Sequence, residues 1–510
     1  MSSRLLAVLF AVSLLSLLPA SAQADVAGHL RVSTGGAAQW PDLAASAKRQ
    51  NYVILHAWEI DRLRSLKLAN PALRVLLYKN LSAINSFGRQ DGYQSTGVAM
   101  DEVDPDHPDW FLKNTSGERF HFSGYDWLWA ADIGNPGFQK RWGDNVAGEL
   151  RAAPWDGVFI DDVNPTIRYH YGVTDVAKYP SDAAYQAATR SALAAINPTL
   201  KATGKTIFAN MGSWVGYNPV VSDWLQFVDG AMDETFTKWS DQPGANYRDT
   251  TEWERQLGEV KELESRGKVF LGVTQSALTD RAAARYGFAS MLLGAAGRAA
   301  FQMGSDYERE NWFPEYDYKL GAPAGGETRD AQGLHRRAFA TGLVVVNPTT
   351  TSRVVSFGGR YSGSGLTNAT STTLAPHSGL ILTRQATAAA SGLSVSTLSL
   401  VAAPAPADGV QSQTPPASRS GGVLASHVRV RVRCVRVAGG PCRGRIVLRA
   451  RATGARSLGR RNVAIVRGRS AILRVSLNPV GRRLARSAGV NRIRAAAAGA
   501  PRALRLATLR

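Results

Sequence analysis

The stretch Asp156–Val163, DGVFIDDV, is a short apolar run that ends in two adjacent carboxylates. Its apolar residues are typical of a buried strand, whereas aspartate is a poor strand former. Asp161 and Asp162 therefore mark a strand end and call for an explanation. Either they cap and solvate that end, or they face a site that requires negative charge.

Seven further apolar runs resemble this stretch. Most are continuous rather than alternating, which indicates parallel strands covered on both faces. Helical patterns, with apolar residues every three or four positions, lie between several of them. In chain order the eight predicted strands are 29–33, 52–57, 74–79, 157–161, 206–210, 230–234, 269–274 and 299–303.

Eight strands with interleaved helices predict an α/β fold of the (β/α)8 TIM-barrel type. A doubly wound open sheet is the alternative, but no G-x-G-x-x-G motif follows the first strand. We expect the barrel over residues 25–330 and a small β-sandwich domain over 331–384. A Pro/Ala/Ser-rich linker is expected over 385–422, followed by an Arg-rich all-β module over 423–510.

The first 24 residues have the pattern of a secretory signal. Arg4 precedes an apolar run that ends at Leu18, and small residues lead to Ala24. We therefore expect an exported mature protein that begins at Asp25. An uncleaved N-terminal anchor is the alternative.

The chain has two cysteines, Cys434 and Cys442, which lie close together in the C-terminal part. In an exported protein such a pair is expected to close a small disulfide loop. Two free buried thiols are the alternative.

The net charge of +20 is concentrated at the C-terminal end. Residues 421–510 contain 22 arginines and no lysine, aspartate or glutamate, which leaves −2 for residues 1–420. Runs such as VRVRVRCVRV alternate with period two, and this predicts antiparallel strands with arginine on one face. The predicted partner is an anionic cell-wall polymer or a membrane surface. Nucleic acid is not expected, because this segment lacks aromatic residues and the protein is exported. A solvated face without a specific partner is the alternative.

In a TIM barrel the active site lies at the C-terminal ends of the strands. The fourth and sixth predicted strands end in pairs of acids, Asp161 with Asp162 and Asp233 with Glu234. Glycoside cleavage requires two such carboxylates, one to protonate the departing oxygen and one to attack or stabilise the sugar carbon. Because neighbours on a strand face opposite ways, we expect only one residue of each pair to point inward. Ordinary solvated strand ends are the alternative.

Polar and aromatic side chains at the other strand ends, and in the long loops 81–134 and 304–330, are candidates for binding sugar. Most loop aromatics are expected to pack on one another. The candidate substrate-binding residues are His56, Trp58, Lys79, Asn80, Trp127, Trp129, Asn210, Gln275, Gln302 and Trp312.

Other hydrolytic chemistries fit the sequence less well. The eight histidines form no H-x-H or H-E-x-x-H pattern, so neither a metal nor a cofactor is expected. A sugar-phosphate enzyme would favour a glycine-rich anion loop after the last strands. The segment QMGSDYERE found there is acidic instead.

The motifs YVILHAW, VLLYKN, GVFIDDV and GAMDETF resemble those of the hypothetical glycosyl hydrolase 15 barrels, and also endo-α-polygalactosaminidase-like barrels. The resemblance covers roughly residues 28–384. GLVVVNP and APHSGLIL look like the C-terminal β-domain of glycosidases. GVFID is also similar to the fourth strand of α-amylase-like and α-galactosidase-like barrels, where the aspartate is the nucleophile.

By that resemblance Asp161 is the nucleophile and Glu234 the acid/base. Asp162 and Asp233 are the alternatives within each pair, and are otherwise candidates for binding substrate. The implied activity is that of a secreted glycoside hydrolase cleaving O-glycosidic bonds in a poly- or oligosaccharide. A non-catalytic carbohydrate-binding or surface adhesion protein on a degenerate barrel is the alternative.

Overall fold

The structure is a computed structural model of the 510-residue chain. Residues 1–25, and with them the predicted signal peptide, lie outside the part that it describes. The described residues are 26–33, 39–103, 106–167, 171–172, 175–304, 307–384, 393–402, 425–434, 442–450, 457–465, 470–480 and 493–498.

Eight parallel strands close into a barrel, so the predicted (β/α)8 fold is confirmed. The strands are β1 Ala27–Val32, β2 Tyr52–Leu55, β3 Arg74–Asn80, β4 Gly157–Asp161, β5 Thr206–Asn210, β6 Gly230–Asp233, β7 Val269–Thr274 and β8 Ala299–Met303. Around the barrel their order is β1-β8-β7-β6-β5-β4-β3-β2. Each strand overlaps one of the eight apolar runs, because the barrel wall buries both faces of such a run.

Helices between the strands form the outer layer. The helix Pro136–Ala152 shows why: Asn135 caps its first turn by accepting from two backbone N–H groups, and its apolar stripe is buried. No described helix has the length and apolar character needed to cross a membrane. The α-helices of the described residues include Leu43–Arg49, Ile60–Ala69, Pro136–Ala152, Asp182–Lys201, Asn218–Trp224, Thr250–Ser265 and Arg281–Gly294.

The barrel interior is filled by alternate residues of all eight strands. These residues are buried and form one cluster: Leu30, Val32, Ile54, Leu76, Phe159, Phe208, Met232, Leu271, Val273 and Ala300. This cluster identifies the inward-facing positions of each strand.

The loop between β3 and β4 carries a small sheet of its own. Its strands Ala83–Asn85 and His121–Phe122 both pair antiparallel with Tyr125–Ala130. This sheet stands beside the barrel mouth, since it follows the C-terminal end of β3.

A six-stranded antiparallel sheet follows the barrel and packs on the helix Arg281–Gly294. A Cβ atom on Gly379 would lie 2.7 Å from the Cβ of Ala289, so only glycine allows this close approach. The strands are Thr328–Arg329, His335–Ala338, Gly342–Asn347, Arg353–Gly363, Leu366–Leu374 and Ser378–Arg384. Together with the barrel they form one compact unit that ends at Arg384.

Residues Gln385–Arg510 form a second compact unit, whose described strands make two three-stranded antiparallel sheets. The strand Leu393–Ala402 falls inside the segment predicted to be a linker, because Leu and Val alternate there with Ser. The strands are Leu393–Ala402, Ala425–Cys434, Cys442–Ala450, Ser457–Ile465, Ser470–Ser476 and Ile493–Ala498.

Cys434 ends one of these strands and Cys442 begins another. The positions of their side chains are outside what the structure describes, so the disulfide stays a prediction.

Candidate active site

Four strand ends place polar side chains around one cavity above the barrel interior. Asn80 ends β3 and lies in register with Asp161, which ends β4. Asn210 ends β5, and Glu234 follows directly after β6. All four residues share the inward direction of the interior cluster, because each lies an even number of residues after its cluster member, which are Leu76, Phe159, Phe208 and Met232.

One amide nitrogen joins the two acidic strand ends. Nδ2 of Asn210 donates to Oδ1 of Asp161 at 2.8 Å and to Oε2 of Glu234 at 2.7 Å. The two accepting oxygens therefore lie no more than about 5.5 Å apart, and retaining glycosidases hold their carboxyl groups about 5–5.5 Å apart. The fourth and sixth strands thus bring their carboxylates to one point.

Two tyrosines complete the hydrogen bonding of this carboxylate pair. Tyr78 on β3 donates to Oδ2 of Asp161 at 2.5 Å. Tyr307, in the loop after β8, donates to Oε1 of Glu234 at 2.5 Å and accepts from Gln275 at 3.0 Å. Every oxygen of Asp161 and Glu234 therefore accepts at least one hydrogen bond.

Asp161 and Asp162 both face the cavity, so the expectation that only one of them points inward is wrong. Alternation holds only along extended backbone, and β4 ends at Asp161. Asp162 has φ of 59°, in the left-handed region, which turns its side chain back toward the cavity. Aspartate tolerates this region better than most residues. Asn80 donates through Nδ2 to the carboxylate of Asp162.

Burial and mutual repulsion shape the protonation of these acids. Burial and the negative charge of Asp161 raise the pKa of Glu234 to about 7, against the hydrogen bonds from Tyr307 and Asn210. Burial raises the pKa of Asp161 above its usual value, although Tyr78 and Asn210 oppose this. Burial and the Asp161 charge raise the pKa of Asp162 well above its usual range. Glu234 is thus set to hold a proton near neutral pH.

The cavity has a volume of about 530 Å³. Val32, Phe159 and Met232 of the interior cluster line its apolar floor. Among the described lining residues there are three carboxyl groups and no lysine or arginine. The described residues contain no group of three or more His, Cys, Asp or Glu side chains that could hold a metal ion.

Asp233 and Lys79 point away from the cavity, because each is one residue out of phase with the inward positions. Asp233 is fully buried behind β6, where its carboxylate accepts from Gln256 at 2.7 Å. Lys79 is fully buried outside β3 and pairs with Glu149 at 2.7 Å. Neither lines the cavity.

Six further candidates also lie outside the cavity lining. His56 stacks on Trp58, with ring centroids 4.1 Å apart, and stands behind Tyr78. Gln302 accepts from the backbone N–H of Val32 at 2.7 Å and so ties β8 to β1.

The remaining three are loop tryptophans. Trp312 packs on His29, on the outer side of β1. Trp129 packs on His121. Trp127 stands next to Tyr125, which does line the cavity.

Asn80, Asp161, Asp162, Asn210, Glu234 and Gln275 are the sequence-derived candidates that line the cavity. Tyr78, Tyr125, Trp239 and Tyr307 line it too, although the sequence did not single them out. A signal for Tyr78 existed, since it lies two residues before Asn80 and shares its face. Nothing in the loop sequences marks Tyr125, Trp239 or Tyr307 among many other aromatics.

Several solved structures resemble this chain at low similarity. A noncanonic maltogenic α-amylase, AmyB, from Thermotoga neapolitana shows 11% identity and a TM-score of 0.39, covering 70% of this chain and 98% of its own. Ega3 of Aspergillus fumigatus, solved with galactosamine, shows 12% identity and a TM-score of 0.34, covering 56% of this chain and 93% of its own. An α-amylase from Geobacillus thermoleovorans, solved with acarbose, shows 10% identity and a TM-score of 0.38, covering 71% and 98%.

No curated protein matches the sequence. A family model does: that of hypothetical glycosyl hydrolase family 15 matches residues 67–343, which is more than half of the chain and includes β4 to β8 with both acidic strand ends. The chain therefore belongs to hypothetical glycosyl hydrolase family 15, and its barrel is that of a glycoside hydrolase.

Proposed function

We propose that this protein hydrolyses O-glycosidic bonds in a poly- or oligosaccharide, with Asp161 and Glu234 as its catalytic carboxylates. The observation that supports this most strongly is the nitrogen of Asn210 shared between them. It brings one oxygen of each carboxyl group within about 5.5 Å of the other, which favours attack with retention of configuration.

In the first step a carboxylate oxygen of Asp161 attacks the anomeric carbon of the sugar. Glu234 gives its proton to the glycosidic oxygen as the bond between that oxygen and the anomeric carbon breaks. The products are the free leaving group and a sugar ester of Asp161. A pKa of about 7 leaves Glu234 protonated for this step in neutral or mildly acidic solution.

In the second step Glu234, now ionised, removes a proton from a water molecule. The water oxygen attacks the anomeric carbon, and the ester bond to Asp161 breaks. The carboxylate of Asp161 is regenerated, and Glu234 is protonated again. Asn210 and the tyrosines hold both groups in place throughout.

The other cavity residues supply sugar contacts. The amides of Asn80 and Gln275 and the carboxyl group of Asp162 reach the cavity and can hydrogen-bond hydroxyl groups. Since the described lining offers three acids and no cation, it favours an uncharged or positively charged sugar over a uronic acid.

The test is hydrolysis of a panel of aryl glycosides and polysaccharides by the full-length chain and its variants. Asp161→Asn and Glu234→Gln are expected to lower kcat by roughly 10²–10⁴-fold or more. Asp61→Asn is the control, because it removes a fully exposed carboxylate on the outer helix Ile60–Ala69. Proton NMR of the first product is expected to show the anomer of the substrate.

Full turnover in either active-site variant would contradict the assignment, and an inverted first product would contradict the proposed role of Asp161. Sugar binding without turnover in the unaltered protein would instead point to a carbohydrate-binding protein on a degenerate barrel.

We also propose that the protein is exported and that its Arg-rich C-terminal unit binds an anionic wall polymer or membrane surface. Support comes from the signal-like N-terminus and from strand register, which sets Arg429 beside Arg474 in neighbouring strands and alternates arginine with valine along Ala425–Cys434. Truncation of residues 421–510 should abolish binding to cell-wall or vesicle fractions, and added salt should release the intact protein. Binding that survives the truncation would exclude this role.

A further inference from the structure

Exposed aromatic side chains are confined to one part of the described chain. Its large, strongly exposed hydrophobic residues include only four aromatics: Phe87 at 58%, Tyr125 at 50%, Trp239 at 43% and Trp127 at 39% exposure. The other three are aliphatic residues, Leu68, Val354 and Val480. Exposure of large aromatic rings to water is unfavourable, and a group of them marks a binding surface.

All four aromatics adjoin the cavity that holds Asp161 and Glu234. Tyr125 and Trp239 line the cavity directly. Trp127 continues outward from Tyr125, with ring centroids 5.5 Å apart, and Phe87 stacks on Trp127 at 5.7 Å. Tyr125, Trp127 and Phe87 therefore form a continuous row that leads away from the carboxylates.

The row and Trp239 lie on opposite sides of the barrel mouth. The row belongs to the loop after β3. Trp239 follows β6, and its backbone forms an isolated parallel β-bridge with Gln275, which directly follows β7. In the closed barrel β7 is four strands away from β3 in either direction, which is diametrically opposite. The cavity thus has two aromatic walls, namely the row on one side and Trp239 on the other.

Both aromatic walls are held by backbone hydrogen bonds. Ser86 N–H donates to the carbonyl of Trp127 at 2.9 Å, and Phe87 N–H donates to Oδ1 of Asn85 at 2.8 Å. Trp239 N–H donates to the carbonyl of Asn246 at 3.1 Å. Because the backbone that carries these rings is already ordered, it loses little conformational entropy on binding.

We propose that the two aromatic walls are sugar-binding subsites on either side of the catalytic pair, so that the protein holds a glycan chain across the barrel mouth and cleaves it internally. This rests on the proposed glycosidase function and adds the substrate class, an extended uncharged or cationic polysaccharide. The C–H faces of a pyranose ring are apolar and pack on aromatic rings, whereas its hydroxyl groups stay hydrated. Continuity with the catalytic cavity makes the chain of the substrate itself the occupant.

The test measures binding in full-length protein carrying Glu234→Gln, which keeps the cleft while removing the acid. Affinity electrophoresis in gels containing soluble starch, dextran or chitosan gives a dissociation constant for each polymer. We expect at least one polymer to retard the protein. Phe87→Ala with Trp127→Ala, and separately Trp239→Ala, should each weaken that binding about tenfold.

Two controls accompany these variants. Val354→Ala removes an exposed hydrophobic side chain from the β-domain and should leave polymer binding unchanged. Trp127→Phe keeps an aromatic ring and should retain most of the affinity lost in Trp127→Ala. Thermal unfolding checks that each variant folds.

The proposal is overturned if no polymer retards the protein, or if only one aromatic wall affects binding, since a one-sided site would act at chain ends. It is also overturned if light scattering shows a dimer that dissociates on Trp127→Ala, because a second copy would then cover the row. If retardation depends on the aromatic residues but the unaltered protein, with Glu234 intact, hydrolyses none of the polymers, the glycosidase function is disproved. The proposal that the aromatic walls bind sugar would then still hold.

Discussion

Tyr307 donates a hydrogen bond of 2.5 Å to Oε1 of Glu234, the carboxylate oxygen that Asn210 does not contact. A hydrogen bond to an ionised carboxylate stabilises the charged form and lowers its pKa. Burial and the charge of Asp161 act in the opposite direction and prevail, so the pKa of Glu234 is raised to about 7. The pKa of Glu234 is therefore set by a small number of opposing contacts, and single substitutions can remove individual contacts.

The first prediction concerns the pH dependence of the unaltered protein. We expect a bell-shaped profile of kcat/KM that falls above about pH 7, where Glu234 loses the proton that the leaving group needs. On the acid side activity should fall as Asp161 becomes protonated, and burial places that fall at higher pH than for an ordinary aspartate. Initial rates on an activated aryl glycoside across the pH range measure both limbs. Activity that stays constant from about pH 6 to about pH 9 would contradict the role of Glu234.

The second prediction isolates the Tyr307 contact. Tyr307→Phe removes a hydrogen bond that favours ionised Glu234, so the pKa of Glu234 should rise and the alkaline limb should move to higher pH. Tyr286→Phe is the matched control, since that hydroxyl is buried elsewhere and has no hydrogen-bond partner among the described residues. An alkaline limb that moves equally in both variants, or that moves to lower pH in Tyr307→Phe, would contradict the predicted effect of Tyr307 on the pKa of Glu234.

The barrel was predictable because continuous apolar runs separated by helical patterns leave few other folds. The inward face of each strand was not, since both faces of a barrel strand are buried: Phe159 faces the interior and Ile160 the helices, yet both are apolar. Because the inward face was ambiguous, Lys79 was predicted to bind substrate at the strand end beside Asn80. The placement of Asp162 depends on a left-handed backbone angle, which residue alternation does not reveal.

The third prediction concerns Asp233 and Glu259, two carboxyl groups buried behind Glu234. Glu259 on the helix Thr250–Ser265 is 1% exposed. Asn218 donates to its Oε1 at 3.0 Å, while its Oε2 has no hydrogen-bond partner among the described residues. Burial, and then the charge of Asp233, raise the pKa of Glu259 well above its usual 4.5. The folded state therefore binds this proton more tightly than the unfolded chain. The resulting stabilisation is complete below about pH 4.5 and is lost as the pH rises toward the folded-state pKa.

Glu259→Gln keeps the acceptor for Asn218 but does not titrate. We expect this variant to exceed the unaltered protein in free energy of unfolding by roughly 1–3 kcal/mol at about pH 8, and to lose that advantage at about pH 4. Urea unfolding at the two pH values measures the difference. Asp61→Asn, at a fully exposed side chain, serves as the control and should show no such change. A constant difference at both pH values would mean that Glu259 does not carry the proton.

The last prediction separates a structural from a substrate-binding role for Lys79. Its side chain is fully buried, donates to the carbonyl of Gln94 at 2.5 Å and pairs with Glu149 at 2.7 Å. Lys79→Met would leave the Glu149 carboxylate, which is 20% exposed, without its cation. Removal of one partner of a fully buried pair costs about 3–5 kcal/mol, so we expect a smaller loss of about 1–3 kcal/mol here.

Lys79→Met combined with Glu149→Met replaces the pair by apolar side chains and should recover most of that stability, since well-packed hydrophobic residues are often as stable as a buried ion pair. A urea-unfolding double-mutant cycle measures the coupling. Because Lys79 lies outside the cavity, the folded fraction of each variant should keep the KM of the unaltered protein. If KM rises in Lys79→Met while stability is unchanged, Lys79 binds substrate and its role is not structural.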